Sequence, residues 1–504
     1  MQELIEAILN GTVSREEFEI LKKKYAKKHK CKVPSNPEIY AASNFDERVR
    51  VFLKKKPRRT LSGVAVVAVM TRPWPCPHGK CIYCPGTGTT PQSYTGHEPA
   101  AMRGQQHSYD SKKQILDRLS QLESMGHKPQ KIDVIVMGGT FTSQPFNYQT
   151  SFIKGIYDGL NGFDSKDLES AIKANETADK RCVGLTIETR PDEINEETIK
   201  KLLDFGTTRL ELGVQNPDDA IYYLVNRGHT VKDVIKATQL AKDSLFKICY
   251  HLMPGLPGSD YYKDLNMFRK IFEDDNFKPD MIKIYPTLLL KGFEQEKLRE
   301  LYEKGQWKPY SEEELINFLM DVTSFIPRWV RIMRVERDIP SKLILAGPIH
   351  TNIREIYEKK LLKKGLRCNC IRCREILTED YKTFSLKATE YNASGGKEIF
   401  LEFITPSDRL LGFLRLRFLN NPFLPELQSS AGIRELHVYG EQVPLKEKGQ
   451  VQHRKFGKML VEKAEEIAKE NGFEKICVIS GVGVREYYSK LGFVRDGHYM
   501  SKKL

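Results

Sequence analysis

The sequence has no uncharged apolar run long enough to cross a bilayer, although 40% of its 504 residues are hydrophobic. Its first residues, Met1–Gly11, alternate acidic with apolar side chains and lack the basic start and apolar stretch of a signal peptide. We therefore expect a cytoplasmic protein with no membrane partner. A chain of this length exceeds one ordinary hydrophobic core, so two or three domains are expected.

Disulfides are not expected either, although the chain contains ten cysteines. Thiols stay reduced in the cytosol, where closely spaced cysteines indicate metal binding or catalysis instead. Six of the ten lie in two tight clusters, Cys76–Cys84 and Cys368–Cys373. These clusters are the first candidates for functional sites.

Acidic residues are scarce between Leu21 and Thr60, where 14 Lys and Arg stand against three Asp and Glu. Two basic runs, Lys22–Lys30 and Lys54–Arg59, carry most of this charge. Clustered positive charge suits a polyanionic partner, because each phosphate that is neutralised releases counterions. A nucleic-acid-binding segment is one interpretation and a solvated surface is the other, and charge alone does not distinguish RNA from DNA.

Short apolar runs rich in β-branched residues alternate with segments of helical spacing through the first two thirds of the chain. The runs are Val64–Val69, Ile132–Met137, Leu185–Glu188, Leu210–Val214, Ile248–Met253 and Met281–Tyr285. This alternation predicts an α/β fold with a parallel sheet closed into a full or partial barrel. Active sites in such barrels gather at the C-terminal ends of the strands.

The first cysteine cluster, Cys76, Cys81 and Cys84, follows the first predicted strand. Three thiolates can hold three irons of a 4Fe–4S cluster and leave the fourth iron open to S-adenosylmethionine (SAM). This arrangement resembles the radical-SAM superfamily, as does the aromatic Tyr83 before the last cysteine. Four residues separate the first two cysteines, where the superfamily usually has three.

A zinc site completed by His78 or His97 is the alternative interpretation of these thiols. The position of the loop after a barrel strand favours the iron–sulfur interpretation. So does Gly138-Gly139 after the next predicted strand, which resembles the glycine motif that holds the SAM amino group in this superfamily.

The second cluster places Cys368, Cys370 and Cys373 within six residues, a span in which a disulfide between neighbours would be strained. Zinc is the favoured interpretation, and a structural zinc site needs a fourth ligand. His350 and Cys249 are the candidates for that ligand. A second iron–sulfur cluster is the alternative. We expect this metal site to have a structural role and to join the domains.

From Glu398 onward the pattern changes to longer strands of antiparallel character, followed by a helix near Phe456 that stops at Asn471-Gly472. This order resembles acetyl-CoA-binding domains of the GNAT type, in which the CoA pyrophosphate binds backbone N–H groups at a helix start. The segment Gln452–Gly457 matches their motif, except that Lys455 replaces the first glycine. We therefore predict a partial radical-SAM barrel followed by a GNAT-type α+β domain.

These motifs, in this order, resemble one family closely: the catalytic subunit of Elongator and its single-chain archaeal and bacterial relatives. The resemblance covers roughly Arg72 to Leu504. The matching segments are Gln92–Gly96, Val136–Phe141, Glu188–Asp192, Leu210–Gln215, Asn226–His229, Lys283–Thr287, Arg434–Tyr439 and Gly481–Arg485. It implies an enzyme that carboxymethylates C5 of the wobble uridine in tRNA. In that scheme a SAM-derived radical removes hydrogen from the acetyl methyl group of acetyl-CoA, the carbon radical adds to the uracil ring, and thioester hydrolysis releases CoA.

The same resemblance implies the site residues. Tyr488 and Lys131 would take part in catalysis, with a tyrosine at position 487 or 488 meeting the CoA sulfur, and Gly138 and Gly139 would hold SAM. The acetyl-CoA contacts would be Lys131, Glu435, Leu436, His437, Val438, Phe456, Gly457, Lys458 and Tyr488. Because Lys131 belongs to the radical domain, the CoA site would bridge the two domains.

Four parts of the chain are expected: a basic tRNA-binding region (1–60), a radical-SAM domain (61–345), a zinc-binding linker (346–385) and the GNAT-type domain (386–504). The implied partners are tRNA, acetyl-CoA, an electron donor, and a second copy or Elongator-like subunits.

A protein lysine acetyltransferase with a vestigial radical domain is the alternative function. It leaves the first cysteine cluster and the basic N-terminus unexplained. A tRNA-binding protein that senses acetyl-CoA without catalysis is the third.

Overall fold

The computed structural model describes residues 1–54, 63–377, 379–420, 422–440 and 455–504. The basic run after Lys54 and the motif residues Gln452–Arg454 lie outside the described residues. No described helix is both long and apolar enough to cross a membrane.

Four helices form an N-terminal unit with a small core of its own. They are α1 (Gln2–Leu9), α2 (Arg15–Lys28), α3 (Asn36–Ala42) and α4 (Glu47–Leu53). Capping boxes at Ser14 and Ser35 start α2 and α3, where the serine and the following glutamate satisfy free backbone N–H groups. The unit contacts the next domain through Lys128, whose Nζ lies 2.9 Å from Glu47 Oε2.

Seven parallel strands follow in the order β1-β2-β3-β4-β5-β6-β8. They are β1 (Val64–Met70), β2 (Lys131–Met137), β3 (Arg181–Thr189), β4 (Arg209–Gln215), β5 (Lys247–Leu252), β6 (Met281–Ile284) and β8 (Arg331–Val335), while β7 (Leu289–Leu290) pairs with β9 (Ile344–Ala346). In the described part of the chain, β1 and β8 are the two edges of this sheet. The predicted α/β fold with a partial barrel is therefore confirmed.

Helices cover the outer face of the barrel. They are α5 (Pro99–Gln106), α6 (Ser111–Ser124), α7 (Phe146–Asn161), α8 (Leu168–Asn175), α9 (Glu196–Asp204), α10 (Asp219–Leu224), α11 (Val231–Asp243), α12 (Tyr261–Glu273), α13 (Glu296–Glu303) and α14 (Glu312–Ser324). The alternation along β2 explains the packing: Ile132, Val134 and Val136 are fully buried in the main core, while Lys131 and Asp133 take the opposite, lumenal face.

Two helices, α15 (Ile353–Lys363) and α16 (Ile371–Arg374), link the barrel to a second seven-stranded sheet. Its order is β10-β11-β12-β13-β14-β16-β15. The elements are β10 (Ser385–Ala393), β11 (Gly396–Ile404), β12 (Leu410–Phe418), β13 (Ser430–Val438), α17 (Phe456–Glu470), β14 (Lys475–Val478), α18 (Arg485–Ser489), β15 (Val494–Asp496) and β16 (Tyr499–Lys503). The strands β13 and β14 pair in parallel only up to Ile433 and Val478. Beyond that point β13 diverges from β14.

The second sheet packs against the N-terminal end of the barrel strands. Gly481 shows how close the approach is, because a Cβ there would lie 2.2 Å from the Val183 carbonyl oxygen of β3. Ion pairs of buried arginines also cross this interface: Arg434 Nη1 donates to Asp280 Oδ2 at 2.8 Å, and Arg417 Nη2 donates to Asp243 Oδ1 at 2.6 Å. The two hydrophobic cores are therefore separate but joined by ion pairs.

Candidate active site

The three cysteines of the first cluster lie in the loop after β1, at the C-terminal end of the barrel. Cys76 Sγ lies 3.6 Å from Thr140 Oγ1, and Cys84 Sγ lies 3.1 Å from the backbone nitrogen of Ser93. Burial raises the pKa of Cys84 to about 11, with smaller contributions from the thiols of Cys81 and Cys76. Burial also raises the pKa of Cys76, so nearby positive charge is needed for Cys76 and Cys84 to become thiolates.

The zinc interpretation of this cluster requires the ligand atoms to lie close together. Zinc holds thiolates at about 2.3 Å, so its tetrahedral ligand atoms lie about 4 Å from one another. Two groups of three ligand atoms lie mutually within 4.8 Å among the described residues, and neither includes Cys76, Cys81 or Cys84. Among the described residues, these three thiols therefore do not form a compact set of zinc ligands.

Two arginines supply positive charge beside the thiols. Arg227 Nη1 lies 3.7 Å from Cys81 Sγ, and Arg190 Nη1 lies 3.2 Å from His78 Nε2. Nearby positive charge favours the thiolate form that binds metal. The segments Glu188–Asp192 and Asn226–His229 thus converge on the cysteine loop from β3 and β4, which accounts for two of the sequence motifs.

His78 belongs to this loop but is poorly suited to act as a charged group. Burial, together with the guanidinium groups of Arg190 and Arg227, lowers the pKa of His78 to about 3. Its Nε2 also lies 3.2 Å from Cys81 Sγ. The ring is therefore a neutral neighbour of the cluster loop.

Gly138 and Gly139 end β2 beside the same loop. Their φ angles of +144° and +82° lie in the region that favours glycine, and a Cβ at Gly138 would lie 1.9 Å from Thr71 Oγ1. A Cβ at Gly139 would lie 3.1 Å from the Gln92 carbonyl oxygen, next to a side chain whose Oε1 is 3.3 Å from Cys84 Sγ. Both glycines are therefore required for the backbone to pass close to the cysteine loop.

A cavity of about 910 Å³ opens at the C-terminal ends of the strands, next to Cys76 and Cys84. This volume is in the upper part of the range found for ligand pockets. Its inner wall includes Glu188, Glu211, His251 and Tyr285. Arginine side chains also line it, namely Arg103, Arg118, Arg334 and Arg337.

The second cysteine cluster forms a compact group in the linker. The Sγ atoms of Cys368, Cys370 and Cys373 lie within 4.8 Å of one another. Hydrogen bonds from Cys368 and Cys373 hold the pKa of Cys370 well below its usual range, against the effect of burial. Three sulfur atoms at this distance, with Cys370 favouring the thiolate form, suit a zinc ion.

The structure corrects both candidates for the fourth ligand of this group. His350 is exposed and its Nδ1 bonds to Glu312, and Cys249 lies in the barrel beside Glu211 and His251. Neither belongs to the compact thiol group. Glu358 on α15 is closer to the thiol group than either residue, because its Oε1 lies 3.6 Å from Cys373 Sγ.

Several residues predicted to contact acetyl-CoA meet at the start of α17. A Cβ at Gly457 would lie 2.7 Å from Tyr487 Oη and 3.7 Å from Val438 Cγ2. Phe456 is buried in the second core, and Lys458 forms an exposed ion pair with Glu462 on the same helix. The start of α17, the end of β13 and α18 therefore enclose one region.

Lys131 approaches this region from the barrel. It pairs in register with Arg181 on β3, and Arg181 Nη1 lies 3.0 Å from Glu486 Oε2 on α18. Burial and the charge of Arg181 lower the pKa of Lys131. An anionic group at this place would stabilise both cations.

The other predicted residues divide between the two faces of β13. Glu435 accepts a hydrogen bond from Arg415 Nε at 2.8 Å, and the His437 ring is parallel to that of Phe413, with centroids 6.1 Å apart. Leu436 and Val438 pack against the second core. The side chains of Glu435 and His437 therefore point toward the barrel.

The two adjacent tyrosines differ in environment. Tyr488 is 5% exposed and packs edge-on against Phe493, whereas Tyr487 is 37% exposed. Burial raises the pKa of Tyr487 to about 12 and raises that of Tyr488 further. Both phenols keep their protons at neutral pH.

Comparison with known proteins places this geometry in a family. Residues 75–268 match the Radical SAM superfamily, and residues 279–363 match the Radical SAM C-terminal domain. The chain is 47% identical over its full length to the tRNA uridine(34) acetyltransferase of Methanocaldococcus jannaschii, of which 98% is covered. It is 39% identical to the Elongator complex protein 3 of Saccharomyces cerevisiae, over 100% of this chain and 94% of that protein.

The chain belongs to the Elongator complex protein 3 family. A solved structure, the archaeal Methanocaldococcus infernus Elp3 with an N-terminal deletion (1–46), agrees with a TM-score of 0.78 and 44% identity. It covers 88% of this chain, and 99% of that chain is matched. The predicted family is therefore confirmed.

One group of functional interest was not predicted in this member of the Elongator complex protein 3 family. Glu211, His251 and Lys283 meet inside the barrel, on three neighbouring strands. A signal was present, because each is an ionisable residue within an otherwise apolar predicted strand. Such residues are rarely buried unless they are paired.

Proposed function

We propose that the protein is a tRNA-modifying enzyme that uses a SAM-derived radical and acetyl-CoA to form 5-carboxymethyluridine at the wobble position. The observation that carries this proposal is the loop of Cys76, Cys81 and Cys84 at the C-terminal end of the barrel, beside a cavity of about 910 Å³. Its support is the full-length similarity to proteins named tRNA uridine(34) acetyltransferase. The cytoplasm is the proposed location.

The residues around the cysteine loop fit a 4Fe–4S cluster. Such a cluster, when bound with SAM, would supply the reductive cleavage that yields a carbon radical. Arg227 beside Cys81 and the Ser93 N–H beside Cys84 stabilise thiolates by charge and hydrogen bonding. Gly138 and Gly139 leave the room in which the amino group of SAM would bind.

Acetyl-CoA is proposed to bind where β13 diverges from β14. The N-terminus of α17 presents the backbone N–H groups of Phe456, Gly457 and Lys458, which have no partner within the helix and suit a pyrophosphate. Lys131 and Arg181 add positive charge from the barrel. The remaining proposed contacts, Glu435–Val438 and Tyr488, line the opened end of β13 and the adjacent helix.

The N-terminal helices are proposed to bind tRNA phosphates. Lys23, Lys24, Lys27 and Lys28 of α2 are exposed, whereas Lys22 is buried and donates to Asn36 Oδ1 at 2.9 Å. Most of this basic run is therefore available to a polyanion. The same proposal includes the four-part division of the chain and zinc on Cys368, Cys370 and Cys373. It also includes an electron donor and a second copy or Elongator-like subunits as partners.

The test is SAM cleavage and product formation by anaerobically reconstituted protein. Wild type should contain iron and sulfide, produce 5′-deoxyadenosine, and carboxymethylate a tRNA transcript in the presence of acetyl-CoA. A variant with Cys76, Cys81 and Cys84 changed to serine should lose all three properties. Cys31→Ser, at an exposed cysteine, is the matched control and should keep them.

Full 5′-deoxyadenosine production by the triple variant would overturn the radical assignment. Acetylation of a lysine-containing protein substrate at the same rate in wild type and triple variant would instead favour a protein lysine acetyltransferase. That function needs only the second domain, and it gives no role to the arginines that surround the cysteine loop.

A further inference from the structure

Three ionisable side chains from adjacent strands meet at the inner wall of the cavity. Glu211 comes from β4, His251 from β5 and Lys283 from β6, and they share the lumenal face of the barrel. His251 Nε2 lies 2.8 Å from Glu211 Oε2, and Lys283 Nζ bonds to the same oxygen. Glu211 and His251 line the cavity that also contacts Cys76 and Cys84.

The charge state of Glu211 fixes the tautomer of His251. Burial alone would raise the pKa of Glu211, but Lys283, His251 and Arg209 hold it well below its usual range. The carboxylate therefore only accepts hydrogen bonds, and His251 must donate from Nε2. In the neutral ring this leaves Nδ1 as the nitrogen that can take a proton.

Two permanent cations also contact Glu211. Lys283 contacts one carboxylate oxygen, and Arg209 Nε lies 3.6 Å from the other. Lys283 itself is held charged, because Glu211 raises its pKa against the effect of burial. Lys283 also lies 3.7 Å from Glu188 Oε1 and Arg209 Nη1 lies 3.2 Å from Asp133 Oδ2, so each cation is shared with a second carboxylate.

The same contact argues against a metal at this place. Glu211, Cys249 and His251 offer ligand atoms within 4.8 Å of one another. Lys283 Nζ, however, bonds to the same Glu211 oxygen that His251 contacts, so a cation already lies beside this group. The group is therefore arranged as a carboxylate-oriented imidazole, the arrangement found in general bases.

We propose that His251 accepts the proton that leaves uracil C5 during carboxymethylation, with Glu211 as the positioning residue and Lys283 as the ion-pair partner of Glu211. This inference rests on the proposed function. His251 lies in the wall of the cavity beside the cysteine loop, where the uracil ring would have to enter. Its ring meets that of Tyr285 edge-on at 5.4 Å, which gives the imidazole a fixed orientation.

The step balances as follows. Addition of the carbon radical forms the new bond at C5 and leaves one unpaired electron at C6. Breaking the C5–H bond sends the proton to His251 Nδ1. Two of the three remaining electrons form the C5=C6 double bond, and the third goes to a one-electron acceptor of the iron–sulfur class.

The test compares His251→Gln with wild type on a tRNA transcript that carries uridine deuterated at C5. Glutamine can still donate to Glu211 but cannot take up a proton at neutral pH. We expect 5′-deoxyadenosine formation to stay within about twofold while the product rate falls about 100-fold or more. A primary deuterium isotope effect should appear in the variant and be absent from wild type.

The control is His107→Gln, which removes an imidazole paired with Asp117 (3.6 Å) outside the cavity and should change neither rate. If His251→Gln does not retain iron, Glu211→Gln is used, which keeps the ring and removes the group that fixes its tautomer. An unchanged product rate, or a parallel loss of 5′-deoxyadenosine and product, would refute the role of His251. Absence of 5′-deoxyadenosine from wild type would refute the proposed function instead.

Discussion

Replacing Arg434 with methionine should destabilise the junction between the two sheets. The guanidinium is fully buried and donates to Asp280 Oδ2 at 2.8 Å, to Glu398 Oε2 at 2.9 Å and to the Phe246 carbonyl at 2.8 Å. Methionine keeps much of the volume but leaves two carboxylates without their main partner. Removing one member of a buried ion pair costs about 3–5 kcal/mol in free energy of unfolding.

The remaining cations set the expected value at the lower end of that range. Asp280 keeps Arg415 at 3.6 Å, and Glu398 keeps Arg417 at 3.0 Å, with Lys242 within 4.0 Å of both carboxylates. We therefore expect a loss of about 3 kcal/mol. Lys463→Met, which removes a solvent-exposed pair with Glu466, should change the free energy of unfolding far less.

Urea unfolding at pH 7 and pH 5 is the assay. Although burial would raise it, the pKa of Asp280 is held low in wild type by Arg434, Lys242 and Arg415. In the variant this pKa should rise above that of the unfolded chain, so the folded variant takes up a proton as the pH falls, and its deficit should be smaller at pH 5. A deficit below about 1 kcal/mol at both pH values would refute this account of the junction.

Three further changes test the proposed sites. Cys370→Ser should lose zinc and thermal stability while the iron content stays the same, and iron loss with zinc retention would reverse the assignment. Tyr488→Phe should slow CoA release about 100-fold, because it removes a phenol proton. Tyr487→Phe should mainly weaken acetyl-CoA binding. The opposite pattern would exchange the roles of the two tyrosines. Deleting residues 1–54 should weaken tRNA binding and flatten its dependence on salt, and identical salt slopes would make the basic run a solvated surface.

The parallel strands could be predicted because burial on both faces produces short apolar runs. The predicted run Leu210–Val214 falls inside β4, and Ile132–Met137 differs from β2 by one residue. Strand β8 was missed, since its sequence Arg-Ile-Met-Arg-Val carries two arginines. One of them, Arg331, bonds to Glu375 in the linker, a partner that local sequence does not reveal.

The candidate site was predictable where one loop supplies all its ligands. Cys76, Cys81 and Cys84 are close in sequence, so their spacing alone indicated a metal. The Glu211–His251–Lys283 group was not predicted, because its members are up to 72 residues apart and meet only through strand pairing. The ion pair of Arg434 with Asp280 spans 154 residues and has the same explanation.

The two proposed cofactor sites lie at opposite ends of the same strands. Lys131 begins β2 and Gly138 follows its end, so at about 3.3 Å per residue roughly 20 Å separate them. The direct path through the lumen is filled by charged pairs, among them Arg209 Nη1 with Asp133 Oδ2 at 3.2 Å. Under the proposed function the acetyl group must cover this distance.

Movement of the two domains relative to each other would break the buried contacts of Arg434 with Asp280 and the Phe246 carbonyl, which join the second sheet to the barrel, and breaking a buried ion pair is strongly destabilising. The flexible arm of the cofactor carries no such cost. The open side of the barrel between β1 and β8 offers another route, where Val66 is 51% exposed and lines the cavity together with Arg334. Under the proposed function, the junction around Arg434 would hold the CoA site in place while the acetyl end travels. Loosening it should then reduce the coupling of 5′-deoxyadenosine formation to product.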